Sequence, residues 1–124
     1  MNKIQCNDVP AAIGPYSHGI QVGNLYFFSG QISLNPLTGN LENQSFESEV
    51  RQVMANLAAL LKGVGLSFSN VVKMNISLTD LDRFAEFNEI YSEYLSEPYP
   101  ARACVGVASL PRNSMIEVEM IAAS

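Results

Sequence analysis

The sequence predicts an α+β fold, with helices covering the apolar face of a β-sheet. Three patterns predict it. Two short apolar runs flank a Gly-Asn pair, a helical repeat of apolar residues fills the middle, and later segments alternate apolar with polar residues. At 124 residues the chain fits one domain spanning 1–124. Apolar residues make up 48% and charged residues 15%, enough to build a core and too little charge for a disordered chain.

The elements follow in order. Gly19-Ile20-Gln21-Val22 and Leu25-Tyr26-Phe27-Phe28 flank Gly23-Asn24, a two-residue hairpin signal. Residues 32–34 extend the sheet up to the turn at Asn35-Pro36. Over 45–65, Val50, Val53, Met54, Leu57, Leu60, Leu61 and Val64 fall on one helical face. Glu47 and Glu49 suit the first turn, and Gly63 and Gly65 are candidate stops. In 71–78, Val72, Met74, Ile76 and Leu78 point one way, while Lys73, Asn75 and Ser77 point the other. Thr79 or Asp80 caps a second helix over 81–95, with Phe84, Tyr91 and Leu95 on its buried stripe. Pro98 and Pro100 end it. Strands over 101–108 and 115–122 complete the chain.

Parity within these last strands locates candidate chemistry. Ala103, Val105 and Val107 share one face, opposite Arg102, Cys104 and Gly106. Ile116, Val118 and Met120 share a face, opposite Glu117 and Glu119. If the helices cover the aliphatic side, Arg102, Cys104, Glu117 and Glu119 emerge together on the face left open. Gly106 and Ile121 lie there too, a mixture that suits a subunit interface with a site in it.

Composition excludes several classes. The net charge is −5, and the seven lysines and arginines form no run, so the electrostatic footprint of a nucleic-acid binder is absent. The same balance disfavours anionic membranes, and no segment has the length of a membrane span. Cys6 and Cys104 are far apart and match no metal or redox spacing, which points to free thiols in a reducing, cytoplasmic setting. No leader-like start is evident. The sequence has one histidine, no phosphate-binding glycine loop, no nucleophile elbow and no zinc motif. The chemistry within reach needs no cofactor or metal: an arginine clamp, a carboxylate and a water.

Arg102 offers a fork of donors that suits a carboxylate, and equally an ion pair with Glu117 or Glu119. Either glutamate could hold and deprotonate a water, and parity does not separate them. Cys104 lacks a base partner for thiolate chemistry, since His18, a loop histidine, lies far off in sequence; shaping a pocket is its other role. Tyr16, in Gly14-Pro15-Tyr16-Ser17-His18-Gly19, either closes over a ligand or packs its loop. Ser29-Gly30 ends a strand and can present donors to a bound oxygen. Asn88 lies one turn from Phe84 and Tyr91, and its amide needs loop backbone or a ligand as partner.

Three blocks, in this order and spacing, resemble the reactive-intermediate deaminase (Rid) family, the enamine/imine deaminases. They are Ala12-Ile13-Gly14-Pro15-Tyr16-Ser17 with Ser29-Gly30-Gln31-Ile32; Asn88 with Tyr91; and Pro100-Ala101-Arg102-Ala103-Cys104-Val105 through Leu110-Pro111 to Ile116-Glu117-Val118-Glu119. The likeness runs from about Pro10 to Ala122. It implies a chorismate-mutase-like α+β fold, a mixed sheet with two helices on one face, and a homotrimer whose sheets line a central barrel, with sites between subunits. It implies that Arg102 binds a carboxylate and that Glu117, not Glu119, activates water. Cys104 would shape the pocket, and Tyr16, Ser29, Gly30 and Asn88 would line or support it. Ala103 departs from the hydroxyl residue of many members and should face the core. The implied activity is hydrolysis of 2-aminoacrylate or 2-iminopropionate type intermediates to 2-keto acids and ammonia, that of a 2-iminobutanoate/2-iminopropanoate deaminase. Two other readings stand beside it: a non-catalytic module binding small carboxylates or proteins, and a ribonuclease or translation inhibitor, which the acidic balance disfavours.

Overall fold

The computed structural model describes residues 1–124. Its centre is one six-stranded sheet with strand order β1-β2-β3-β6-β4-β5. The strands are β1 (Asn2–Ile4), β2 (Gly19–Val22), β3 (Leu25–Gln31), β4 (Val71–Leu78), β5 (Ala101–Gly106) and β6 (Ile116–Ala123). Only β4 and β5 run parallel; every other pairing is antiparallel. Helices α1 (Phe46–Gly63) and α2 (Phe84–Tyr91) pack on one face and share a single hydrophobic cluster with it. The mixed α+β sheet with two helices on one face is thus as expected. The barrel is not. Closure requires the first and last strands to pair, and here β1 and β5 are separate, unpaired edges of an open sheet.

Local chemistry explains most boundaries. Gly23 takes φ +59 in the hairpin turn, which leaves Val22 opposite Leu25. The Ser45 side chain accepts from Ser48 N–H, and Ser48 reciprocates, fixing the start of α1. At its end Gly65, at φ +76, donates to Lys62 O while Leu66 donates to Leu61 O, a Schellman closure. The expected strand over 32–34 is absent. Ser33 instead turns inward to donate to Glu49, and Leu34 makes one bridge to Leu41.

Two further expectations need correcting. In β4 the pairing to β6 slips between Val71 and Lys73, so Val71 is buried and Val72 is 46% exposed. The second helix is shorter than 81–95. Asp80 caps a 3-10 turn at Leu81–Arg83, and α2 proper ends at Tyr91. Its core residues are Phe87, Ile90 and Tyr91, whereas Phe84 is only half-buried.

The largest correction concerns β5. Met74 pairs with Arg102 and Ile76 with Cys104, and laterally paired residues point to the same face. Met74 and Ile76 are buried beneath the helices, so Arg102 and Cys104 lie on the helix face. Ala103 and Val105 lie on the open face, beside Asn75 and Ser77, and Ala103 does not face the core. Glu117 and Glu119 pair with Ser77 and Asn75 on that open face, as expected. Arg102 and Glu117 therefore sit on opposite sides of the sheet, and no ion pair joins them.

Candidate functional site

Arg102 owes its position to α2. Phe84, Asn88 and Tyr91 recur along one side of that helix at spacings of four and three. The Arg102 guanidinium lies 5.2 Å from the centroid of the Phe84 ring and 5.2 Å from that of Tyr91. Both rings attract its charge by cation–π interaction, while the residue itself stays exposed. No carboxylate pairs with it: the ion pairs of the molecule use Arg51 and Arg83. Beside it lies a cavity of about 300 Å³ lined by Asn88, Tyr91, Ser92, Tyr99, Pro100 and Arg102. Two buried side-chain polar atoms in the molecule lack a hydrogen-bond partner, Asn88 Oδ1 and the Tyr91 hydroxyl, and both belong to residues of this wall. Buried polar groups are normally satisfied, so a pair of orphans beside an unpaired cation marks a place for a ligand.

Burial pushes the Tyr91 hydroxyl pKa up, against the opposing pull of Arg102, so it stays a donor. Burial likewise pushes the Cys104 thiol up, with Arg102 acting the other way. Cys104 thus remains a neutral thiol at pH 7, which argues against a nucleophile. It packs against the core and does not line the cavity.

Glu117 occupies a second cavity, of about 670 Å³, with Tyr16, Ser29, Gly30, Arg112 and Glu119 among its lining residues. Its backbone position comes from β6, and the room for its side chain comes from Gly30. A Cβ at Gly30 would lie 3.0 Å from Glu117 Cδ. A shift in the β3–β6 register between Phe28 and Gln31 lifts Ser29-Gly30 out of the regular ladder. Ser29 secures the Tyr16 loop: its N–H donates to His18 O and its hydroxyl to Ser17 O. The hydroxyl proton is thereby committed to the loop and not offered to a bound oxygen. Gly14, at φ +125, accepts from Tyr16 N–H, and the Tyr16 ring is left 52% exposed at the cavity. His18 is a buttress, with Nδ1 accepting from Cys6 N–H and Nε2–H donating to Pro10 O.

The two glutamates that parity left equivalent differ here. Glu119 is exposed and accepts from Asn75 Nδ2 at 3.2 Å. Glu117 is half-buried and has no hydrogen-bond partner. Burial raises its pKa above the ordinary carboxylate value, and the neighbouring charge of Glu119 adds to the rise. A carboxylate with a raised pKa is a stronger proton acceptor than an ordinary one.

The seven predicted residues thus form two groups. Tyr16, Ser29, Gly30 and Glu117 meet at one cavity; Asn88 and Arg102 meet at the other, with Cys104 next to Arg102 in sequence on the same face. The sheet separates the groups. Sequence reasoning missed Tyr99, Ser92 and Arg112 as cavity walls. Arg112 and Asn113 both take φ 58, and Arg112 Nη1 donates to Gly39 O. The signal for that turn was present in Leu110-Pro111-Arg112-Asn113. No group of three His, Cys, Asp or Glu side chains could hold a metal ion, and no helix is long and apolar enough to cross a membrane.

Fold and cavities together define an α+β protein with a pocket that Arg102 helps to line. The chain belongs to the family described as Endoribonuclease L-PSP, whose model matches residues 6–124; it includes the reactive-intermediate deaminases that the three motif blocks resemble. The mouse 2-iminobutanoate/2-iminopropanoate deaminase is 44% identical over 119 residues, covering 96% of this chain and 88% of its own. Among solved structures, RidA from the Antarctic bacterium Psychrobacter sp. PAMC 21119 superposes with a TM-score of 0.95 at 44% identity, covering 100% of both chains. TdcF of E. coli, solved with bound serine, gives 0.93 at 37% identity, covering 100% of this chain and 99% of its own.

Proposed function

We propose that this protein hydrolyses reactive 2-imino acids, such as 2-iminopropionate, and their enamine tautomers, to 2-keto acids and ammonia. One observation carries the reading. Arg102 is an unpaired, exposed cation lying over two rings beside two orphaned polar atoms. Such a pocket suits a small carboxylate. The mouse relative is named for this reaction, and the E. coli relative holds serine, which carries an α-carboxylate.

In this reading Arg102 anchors the carboxylate and Asn88 lines the pocket. Glu117 takes a proton from water as the water oxygen bonds to the imine carbon, giving a carbinolamine. That proton passes to the nitrogen, completing the neutral carbinolamine; the carbinolamine hydroxyl then gives its own proton, again through Glu117, to the amino group, so the C–N bond breaks and ammonia leaves as the C=O forms. The imine is already activated, so positioning and proton transfer suffice. Tyr16 closes the water side, with Ser29 holding its loop and Gly30 clearing room for Glu117. Cys104, a neutral thiol packed on the core, supports the strand that carries Arg102 from behind the pocket.

Arg102 and Glu117 open on opposite faces of one subunit, so a working site needs Arg102 of one copy against Glu117 of another. A homotrimer with three such sites meets that need by cyclic symmetry. The open face has the apolar surface for it: Val22, Leu25, Phe27 and Val105 are all exposed. A reducing cytoplasmic location fits the free thiols Cys6 and Cys104.

The test generates 2-iminopropionate with an amino-acid oxidase and follows its decay. Micromolar protein should accelerate decay over the spontaneous rate, and Arg102→Ala should abolish the acceleration without dissociating the oligomer. An unaccelerated decay sinks the reading for this substrate. Keto-acid binding by calorimetry without turnover would then favour a carboxylate-binding module. The family description names an endoribonuclease, but the net charge of −5 and the lack of a basic run disfavour an RNA partner.

A further inference from the structure

The proposed reaction gives the Tyr91 hydroxyl no role of its own. That hydroxyl raises a separate question. The residue is 5% exposed, and its hydroxyl meets no donor or acceptor of the chain. The ring packs against Phe87, at 5.3 Å between centroids, and the Arg102 guanidinium, at 5.2 Å from its centroid. A buried hydroxyl without a partner costs stability, and phenylalanine would fill the same place without that cost. A tyrosine held here at a loss to the fold implies a partner that arrives with the ligand.

Chemistry narrows what that partner is. The hydroxyl belongs to the same cavity wall as the Arg102 guanidinium. A guanidinium donates and cannot accept, so a group placed between them accepts from Arg102, and the phenol can donate to that same group. A carboxylate has two oxygens and about four lone-pair sites, enough for an arginine and one further donor.

We propose that Tyr91 is a second carboxylate anchor, its hydroxyl donating to an oxygen of the same carboxylate that Arg102 binds. The inference rests on the reading of Arg102 as a carboxylate-binding residue. It deepens that reading by making the site selective for carboxylates over neutral isosteres through two side chains. The carboxylate is present in substrate, transition state and product alike. Tyr91 therefore supplies uniform binding and acts on KM, not on kcat.

The experiment compares wild type, Tyr91→Phe and Arg102→Ala, with pyruvate as the probe in calorimetry and 2-iminopropionate in turnover. Tyr91→Phe keeps the ring beneath Arg102 and removes only the hydroxyl. The expected result is pyruvate binding weakened about 10-fold or more, the scale of a hydrogen bond to a charged group. KM should rise by a similar factor with kcat unchanged, and the thermal midpoint without ligand should stay level or rise. A merely structural hydroxyl would lower the midpoint and leave pyruvate affinity alone, which overturns the proposal. If Arg102→Ala abolishes pyruvate binding while Tyr91→Phe binds like wild type, Tyr91 fails and Arg102 stands. If Arg102→Ala binds normally, the underlying reading fails as well. A crystal of the wild type soaked in pyruvate gives a check that needs no variant. The Tyr91 hydroxyl should lie within about 2.5–3.0 Å of a carboxylate oxygen, and separation beyond hydrogen-bond reach overturns the proposal.

Discussion

At the scale of single residues, the pair Glu117 and Gly30 shows how small a feature sets the chemistry. A Cβ at Gly30 would lie 3.0 Å from Glu117 Cδ, so a side chain there would push the carboxyl aside. Burial of the carboxyl, with the charge of Glu119 nearby, raises the Glu117 pKa. The sign of the consequence follows from linkage. A carboxyl whose folded pKa lies above its unfolded value contributes stability at pH below the unfolded value, and loses it as pH rises through the folded one. At neutral pH the ionised group is then a cost to the fold. Glu117→Gln should hold the thermal midpoint level or raise it near pH 7, with the gap to wild type closing below the ordinary carboxylate range; unfolding scans across pH measure this. The same variant should lose about 100-fold or more in imine hydrolysis, the usual contribution of a general base. Wild-type activity should fall with acidification at a pH above the ordinary glutamate value, since the base works only when ionised. Parity in the sequence could place Glu117 and Glu119 on one face but could not rank them. Their ranking depends on Asn75 and Gly30, which come from other strands.

At the scale of elements, α1 and the first hairpin were legible because their signals are local. A 3.6-residue apolar period with a serine cap specifies the helix, and a two-residue turn at Gly23-Asn24 specifies the hairpin register. β5 was misread for a reason that is also physical. The rule that aliphatic residues face the helices holds where both neighbouring strands are covered. β5 is an edge strand, and its helix-side neighbours are the rings of Phe84 and Tyr91, which accept a guanidinium as readily as an aliphatic chain. The bulge at Val72 escaped notice likewise, because it exchanges one valine for another between the faces. The division of labour along α2 is testable. Phe87, fully buried, should cost about 3–5 kcal/mol when changed to alanine. Phe84→Ala should cost clearly less, since the ring is half-exposed, while weakening pyruvate binding by freeing Arg102. Denaturant unfolding and calorimetry on the two variants separate core from clamp.

At the scale of the whole molecule, the sheet itself divides the candidate machinery, with the arginine on the helix face and the glutamate on the open face. Motif spacing listed both residues but was blind to this, because sides of a sheet depend on strand order and strand order is a long-range property. The division yields a prediction about mixtures. Arg102→Ala and Glu117→Gln proteins should each be inactive alone. Unfolded together and reassembled at equal amounts, they should regain activity at about a quarter of the sites, where an intact arginine from one copy meets an intact glutamate from another. A site completed within one chain would regain nothing, so the imine assay on the mixture decides between the arrangements. The open sheet has a last consequence in the cell. On this reading a newly made subunit carries a full set of reactive side chains and is chemically silent. Activity begins when copies meet, so specific activity is a property of protein concentration as much as of sequence, and it should fade on dilution before any subunit unfolds.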